Sequence, residues 1–285
     1  MKETYYLTLS CANRPGIVAA VSMRLFEVGG NMVEAQQFDD LATDRFFMRV
    51  EFDVAPDVQQ TLLHDRFAEV AAVYGMQWRL RPQNHHQRAL ILVSKFDHCL
   101  GDLLYRYHIG EMPMNVVGVV SNHPKEALNL SLMGSIPYHY LPVTAATKPQ
   151  QEAQIKTIVE ATNAELIVLA RYMQILSDDF SSFLSGRCIN IHHSFLPGFK
   201  GAKPYTQAFD RGVKMIGATA HYVTADLDEG PIIVQDTEPV SHVDTPDTLA
   251  RKGRDIERRV LARAVFYHLE DRVLVNGLKT VVFRD

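Results

Sequence analysis

Apolar and polar positions along this 285-residue chain change their period several times, and each change marks a predicted element. Tyr5 to Ser10 reads as a strand, and Ile17, Val21, Leu25 and Val28 then recur at the spacing of one helix face. Residues 32–38 and 46–54 return to a strand pattern. A second helical stretch carries Leu63, Phe67, Val70 and Tyr74, and residues 76–80 close a βαββαβ unit of the ferredoxin-like kind. A polar run, Arg81-Pro82-Gln83-Asn84-His85-His86-Gln87-Arg88, follows it. The predicted organisation is therefore a first domain over residues 1–82, a linker over 83–88 and a second domain over 89–285.

Beyond the linker the pattern alternates. Short, unbroken apolar runs at 89–94, 116–121, 166–170 and 188–192 suit strands buried on both faces. Helical candidates fall at 150–162 and 204–211, and Thr245-Pro246 opens a long helix that turns Leu249, Ile256, Val260, Ala264 and Val265 toward the core. That is the pattern of an α/β domain, Rossmann-like, with a mostly parallel sheet and helices on both faces. Met173 and Met215 fit packing better than chemistry.

Composition narrows the functional classes. The net charge of −4, from 29 basic and 33 acidic residues, provides no broad basic field, so nucleic acid is not an expected partner. The amino terminus lacks the apolar core of a signal peptide and no 18-residue apolar run occurs, so no membrane association is expected. Cys11, Cys99 and Cys188 are odd in number and far apart, which fits reduced thiols in the cytoplasm.

The candidate chemistry lies in two segments. Asn190-Ile191-His192-His193-Ser194-Phe195-Leu196-Pro197 carries an amide and an imidazole two residues apart, on one face of a predicted strand that ends in a loop. Asp228 sits in the turn Leu227-Asp228-Glu229-Gly230-Pro231, after the apolar run 216–223. An amide donor, an imidazole and a carboxylate at the ends of strands are the groups needed to move an acyl carbon. Taken singly, each is also an ordinary turn or capping residue. A metal site built from His192, His193, His221 and Asp228 is not expected, because adjacent histidines on a strand point to opposite faces.

These two segments, with Ile167-Val168-Leu169-Ala170-Arg171-Tyr172-Met173-Gln174-Ile175-Leu176-Ser177 before them, resemble the three ordered motifs of the folate-dependent formyltransferase fold, the segment 167–177 being similar to that family's LAGYMRIL loop. The resemblance implies that Asn190 donates to the formyl oxygen, that His192 is the acid/base, and that Asp228 orients water and supports the imidazole. It also implies that Arg171, Tyr172, Met173, Gln174 and Ile175 hold the pterin. His221 matches a family position as well, and either positions Asp228 or simply ends a strand.

One departure sets the subclass. After the strand at 89–94, the purine-pathway transferase of this family has a Gly- and Ser-rich loop whose amides cradle a phosphate. This chain reads Lys95-Phe96-Asp97-His98-Cys99-Leu100-Gly101-Asp102 instead, and Phe96, Asp97 and Leu100 add bulk and charge there. With Ala202-Lys203-Pro204-Tyr205, where Lys203 is either a surface cation or a contact for a glutamate tail, this segment resembles the formyltetrahydrofolate deformylase family. The implied activity is hydrolysis of 10-formyltetrahydrofolate to formate and tetrahydrofolate, with folate as substrate and no separate cofactor. The alternatives are a formyltransferase with an amine acceptor and an inactive folate- or amino-acid-binding regulator.

The first domain resembles the ACT domain. Asn13-Arg14-Pro15-Gly16 at its first turn and Gly29-Gly30-Asn31 at its second are the matching positions. The resemblance implies a small amino-acid effector such as glycine or methionine, with Asn13, Arg14, Pro15, Gly16, Gly30 and Asn31 as candidate contacts, and a homo-oligomer, since many ACT ligands sit between two copies. The same turn is also a plain helix-start signal.

Overall fold

The computed structural model describes residues 2–128, 131–198 and 204–284, apart from the Pro204 side chain. Ala202 and Lys203, named above, lie outside the described residues. The chain forms two compact units. One comprises Met1–His86 with Glu270–Asn276 and Thr280–Asp285, and the other comprises Gln87–Leu269 with Gly277–Lys279.

The first unit runs β1 (Glu3–Ala12), α1 (Ile17–Glu27), β2 (Asn31–Asp40), β3 (Arg45–Val54), α2 (Gln60–Tyr74) and β4 (Gln77–Pro82). Its strands form an antiparallel sheet in the order β2-β3-β1-β4. Leu7, Leu9, Val50 and Phe52 on the sheet meet Val21, Leu25 and Phe67 of the helices in one buried core, so the helix stripes read from the sequence are the stripes that pack. Residues 270–276 and 280–285 were expected in the second domain. They belong to the first unit because polar groups there are satisfied by it: Arg81 Nε lies 2.8 Å from Asp271 Oδ2, and the fully buried Arg49 donates to Glu270 O at 3.0 Å.

The second unit opens with β5 (Gln87–Val93), two residues before the expected start of the second domain at residue 89. The buried Gln87 and then Arg88 already pair with Met114 and Asn115 in the parallel ladder, which draws these polar residues into the sheet. Then come α3 (His98–His108), β6 (Met114–Ser121), β7 (Tyr138–Tyr140), α4 (Lys148–Ala161), β8 (Leu166–Leu169), α5 (Asp178–Phe183), β9 (Cys188–His192), α6 (Pro204–Arg211), β10 (Met215–Tyr222), β11 (Ile232–Pro239) and α7 (Pro246–Leu269). A hairpin of β12 (Val273–Asn276) and β13 (Lys279–Val282) ends the chain. The main sheet has seven strands in the order β11-β10-β9-β8-β5-β6-β7, parallel from β9 to β7 and antiparallel at β10 and β11. Leu90, Leu92, Ile167 and Leu169 pack against Ile155 and Val159 of α4 and Phe180 of α5. The helix α7 packs on β9, β10 and β11 and on α3. Among the described residues, no helix is long and apolar enough to cross a membrane.

One buried hydroxyl holds the loop that follows β9. Thr219 Oγ1, fully buried in β10, donates to Ser194 O at 3.0 Å and accepts from Leu196 N at 3.1 Å and Gln235 Nε2 at 2.9 Å. Thr219→Val keeps the shape and strands these partners in a dry site, so it should cost about 1–3 kcal/mol by urea denaturation. An unchanged midpoint would contradict this account of the loop.

Candidate active site

The site follows from strand register. Asn190 of β9 pairs with His221 of β10, and residues directly opposite in an antiparallel ladder share a face. His192, two residues on from Asn190, lies on the same face. Asn190 Nδ2 donates to His221 Nε2 at 3.3 Å, while His221 Nδ1 donates to Tyr222 O at 2.9 Å, since a carbonyl can only accept. Asp228 reaches the group from the loop between β10 and β11, held in the left-handed region at φ 57. Its Oδ1 lies 3.2 Å from His192 Nδ1 and 3.8 Å from His221 Nε2. Gly230 is required two residues later, because a Cβ there would stand 1.7 Å from Tyr222 O.

Asn190, His192, His221 and Asp228, read from separate segments, thus meet on one wall of a cavity of about 580 Å3. Burial alone would raise the Asp228 carboxyl, but the hydrogen bond from His192 Nδ1, with the His221 imidazole beside it, outweighs that and holds the group well below the usual carboxylate range. With Nδ1–H of His192 directed at that carboxylate, Nε2 is the basic nitrogen, and it is buried with no hydrogen-bond partner among the described residues. His193 departs from expectation. It lies one residue past the end of β9, where strand alternation no longer applies, and its ring stands 5.2 Å from that of His192 on the same cavity. Burial lowers its pKa to about 4, with Arg171 and His192 adding to the effect, so it is neutral at pH 7.

The 171–176 segment lines the same cavity. It is pinned at both ends: Met173 N donates to Ser94 Oγ at 2.9 Å, and Ser177 N donates to Glu152 Oε1 at 2.9 Å. Tyr172 turns its ring into the core, its hydroxyl donating to Gln151 at 3.0 Å, and burial pushes its pKa up to about 12. Met173 and Ile175 instead expose apolar side chains along the cavity at 51% and 62% exposure, and Met215 is 54% exposed. Neither methionine is a core packing residue, because both sit at positions the strands and helices leave uncovered.

Of the three residues read as filling a phosphate cradle, only Phe96 lines the cavity. Leu100 is fully buried in the core, and Asp97 is the residue just before α3. Sequence inspection missed Glu257 altogether. It is 1% exposed and gathers His98 Nε2 at 2.7 Å, Tyr205 Oη at 2.6 Å and Arg171 Nε at 3.3 Å. A signal was available: Leu249, Gly253, Ile256 and Val260 mark the inward stripe of α7, and Glu257 is a charge within it. His98, Cys99 and Glu257 offer atoms within 4.8 Å of one another. Burial keeps the Cys99 thiol protonated, and Arg171 already pairs the carboxylate, so the cluster is a poor cation site.

In the first unit the effector candidates fall in two places. Asn13, Arg14, Pro15 and Gly16 lie at the start of α1, and Gly30 and Asn31 lie just after its end, an 11-residue helix apart. Asn13 Nδ2 donates to Asp39 at 2.8 Å, and Arg14 donates to Val73 O while its guanidinium stacks 4.2 Å from the Tyr74 ring centre. These six residues do not form a single cluster within one chain.

Comparison with known proteins agrees with this architecture. Residues 87–265 match the family described as Formyl transferase. The formyltetrahydrofolate deformylase of Corynebacterium sp. (strain P-1) is 50% identical over 282 residues, covering 98% of either chain. The crystal structure of the Burkholderia mallei formyltetrahydrofolate deformylase superposes with a TM-score of 0.93 at 50% identity, covering 99% of this chain and 100% of that one. Glycinamide ribonucleotide transformylase 1 of Symbiobacterium toebii matches with a TM-score of 0.66 at 30% identity, covering 72% of this chain and 98% of its own. This chain therefore belongs to the formyl transferase family, and within it to the formyltetrahydrofolate deformylases.

The His193 environment has a measurable consequence. Between its lowered value of about 4 and the ordinary 6.5, the unfolded chain binds a proton that the folded chain does not, so stability falls as pH drops through that window. In His193→Gln the loss of unfolding free energy between pH 7 and pH 5 should be smaller than in the parent. An equal loss would show that this imidazole is not held neutral.

Proposed function

We propose that this chain hydrolyses 10-formyltetrahydrofolate to formate and tetrahydrofolate, with the folate as substrate and no separate cofactor. The observation that carries the reading is the convergence of Asn190, His192 and Asp228 on one cavity, with His192 Nε2 unpartnered among the described residues. Nε2 takes a proton from water, whose oxygen bonds to the formyl carbon. Asn190 donates to the oxyanion that forms, a contribution of roughly 3–4 kcal/mol in comparable sites. Asp228 holds the imidazolium in place. The carbon–N10 bond then breaks, N10 receives the proton from His192, and formate leaves. Met173 and Ile175 offer apolar surface for the pterin, with Arg171, Tyr172, Gln174 and His221 completing the candidate folate contacts. The three free and buried cysteines suit a reducing compartment and support a cytoplasmic location.

The first test is formate release from 10-formyltetrahydrofolate without any amine. Steady release supports the reading, and release only with added amine would assign transfer instead. His192→Ala and Asp228→Asn should each lower kcat by about 100-fold or more with folate affinity held within a few-fold, since these groups act in the transition state. Parallel losses of affinity and rate would assign them to binding.

We further infer that the first unit binds a small amino acid such as glycine or methionine and regulates the second, in a homo-oligomer. Its support is the βαββαβ order and antiparallel sheet together with the turns at Asn13–Gly16 and Gly30–Asn31. Calorimetry should detect binding at millimolar concentration with a change in formate release. No heat and no rate change with either amino acid would leave the unit without this role.

A further inference from the structure

A continuous wall leads away from the catalytic imidazole along the same cavity. The His193 ring lies 5.2 Å from that of His192, and the Tyr205 ring lies 6.5 Å from that of His193. The Tyr205 hydroxyl donates to Glu257 at 2.6 Å, Glu257 pairs with Arg171 at 3.3 Å, and Arg171 lies 5.9 Å from the ring centre of Phe96. His193, Tyr205, Arg171 and Phe96 all line the cavity that holds Asn190, His192 and Asp228, while Glu257 lies behind them.

Several features show that this wall is built at a cost. Arg171 holds the left-handed backbone at φ 63, a conformation that costs a residue with a Cβ on the order of 1 kcal/mol. It is 8% exposed, and its Nη1 is buried without a hydrogen bond among the described residues, so it is not a solvated cation. Glu257 is a carboxylate withdrawn from water, held by partners from α3, α6 and the loop after β8. Gly253, one turn earlier on α7, is required because a Cβ there would stand 2.0 Å from Cζ of Tyr205, so the phenol ring lies on bare helix backbone. A strained arginine, a buried carboxylate and a helix glycine thus combine to set two side chains, Arg171 and Tyr205, into the cavity.

We propose that the Arg171–Glu257–Tyr205 wall, with Phe96 over the guanidinium, is the specificity device that excludes amine acceptors and leaves water as the nucleophile. It rests on the hydrolytic reading above. These are positioning and excluding residues, distinct from the groups that move protons. Leu100, read from sequence as part of the obstruction, belongs to the core and takes no part. Arg171 also stands among the candidate folate contacts, and a role in folate binding alone makes a different prediction.

The test is product partition. In the transfer reaction the amine nitrogen bonds to the formyl carbon, the carbon–N10 bond breaks, the amine loses a proton and N10 gains one, with no change of oxidation state. The parent and three variants, Arg171→Gly, Arg171→Gly with Glu257→Gln, and Phe96→Ala, are given 10-formyltetrahydrofolate and excess glycinamide. Formate and N-formylglycinamide are measured together with KM for the folate. The double variant removes both buried charges and keeps hydrogen-bonding capacity toward Tyr205 and His98, and Phe96 is half exposed, so these two should fold even where the single arginine variant does not. The share of formyl captured by glycinamide should rise at least about tenfold over the parent in the arginine variants, with a smaller rise in Phe96→Ala. Folded variants that release only formate, or that raise KM for the folate without capture by the amine, would overturn the proposal. The parent assayed without amine tests the hydrolytic reading by itself.

Discussion

The site depends on one carboxylate held between two imidazoles. Asp228 leaves the β10–β11 loop in a left-handed conformation and is stabilised as an anion by His192 and His221 against the burial that would protonate it. Remove that anion, and the Nδ1–H of His192 loses its acceptor, the orientation of Nε2 is no longer defined, and His221 loses its ionic neighbour. The backbone reflects the same constraint: Gly230 lets the returning loop pass against Tyr222 O, and the β9–β10 register places Asn190 opposite His221.

The wall beyond His193 places a second constraint on the same cavity. A formyl carbon is an electrophile for amines as well as for water, so a hydrolase of this fold needs a means of refusing amines, and refusal is achieved by steric closure and buried charge. Arg171 and Glu257 provide both within one ion pair. The net charge of the wall stays small, which leaves the electrostatics of the catalytic wall to Asp228 and the imidazoles.

Much of the fold could be read from the sequence because its signals were local. The helix stripe at Ile17, Val21 and Leu25 and the unbroken apolar runs of β5, β8 and β9 are periodic patterns that a core demands. Asn190, His192 and Asp228 were legible because the first two close a strand-like run on one face and the third stands in the turn that follows another. What was missed depends on contacts distant in sequence. Glu257 lies 52 residues from Tyr205 and 159 from His98, and only the packing of α7 on α3 brings these groups together. The assignment of residues 270–276 to the first unit was hidden for the same reason: Arg81 and Asp271 are 190 residues apart. Short strands such as β7 and β12, of three and four residues, carry too little pattern to stand out. His193 was misplaced because the alternation rule was extended one residue beyond the strand.

If Asp228 acts only through His192, the two residues form one unit and their losses do not add. The most direct measurement is a double-mutant cycle on formate release, comparing kcat of His192→Ala, Asp228→Asn and the combined variant. The account predicts a combined variant within a few-fold of the slower single variant. A combined loss equal to the product of the two single losses would contradict it.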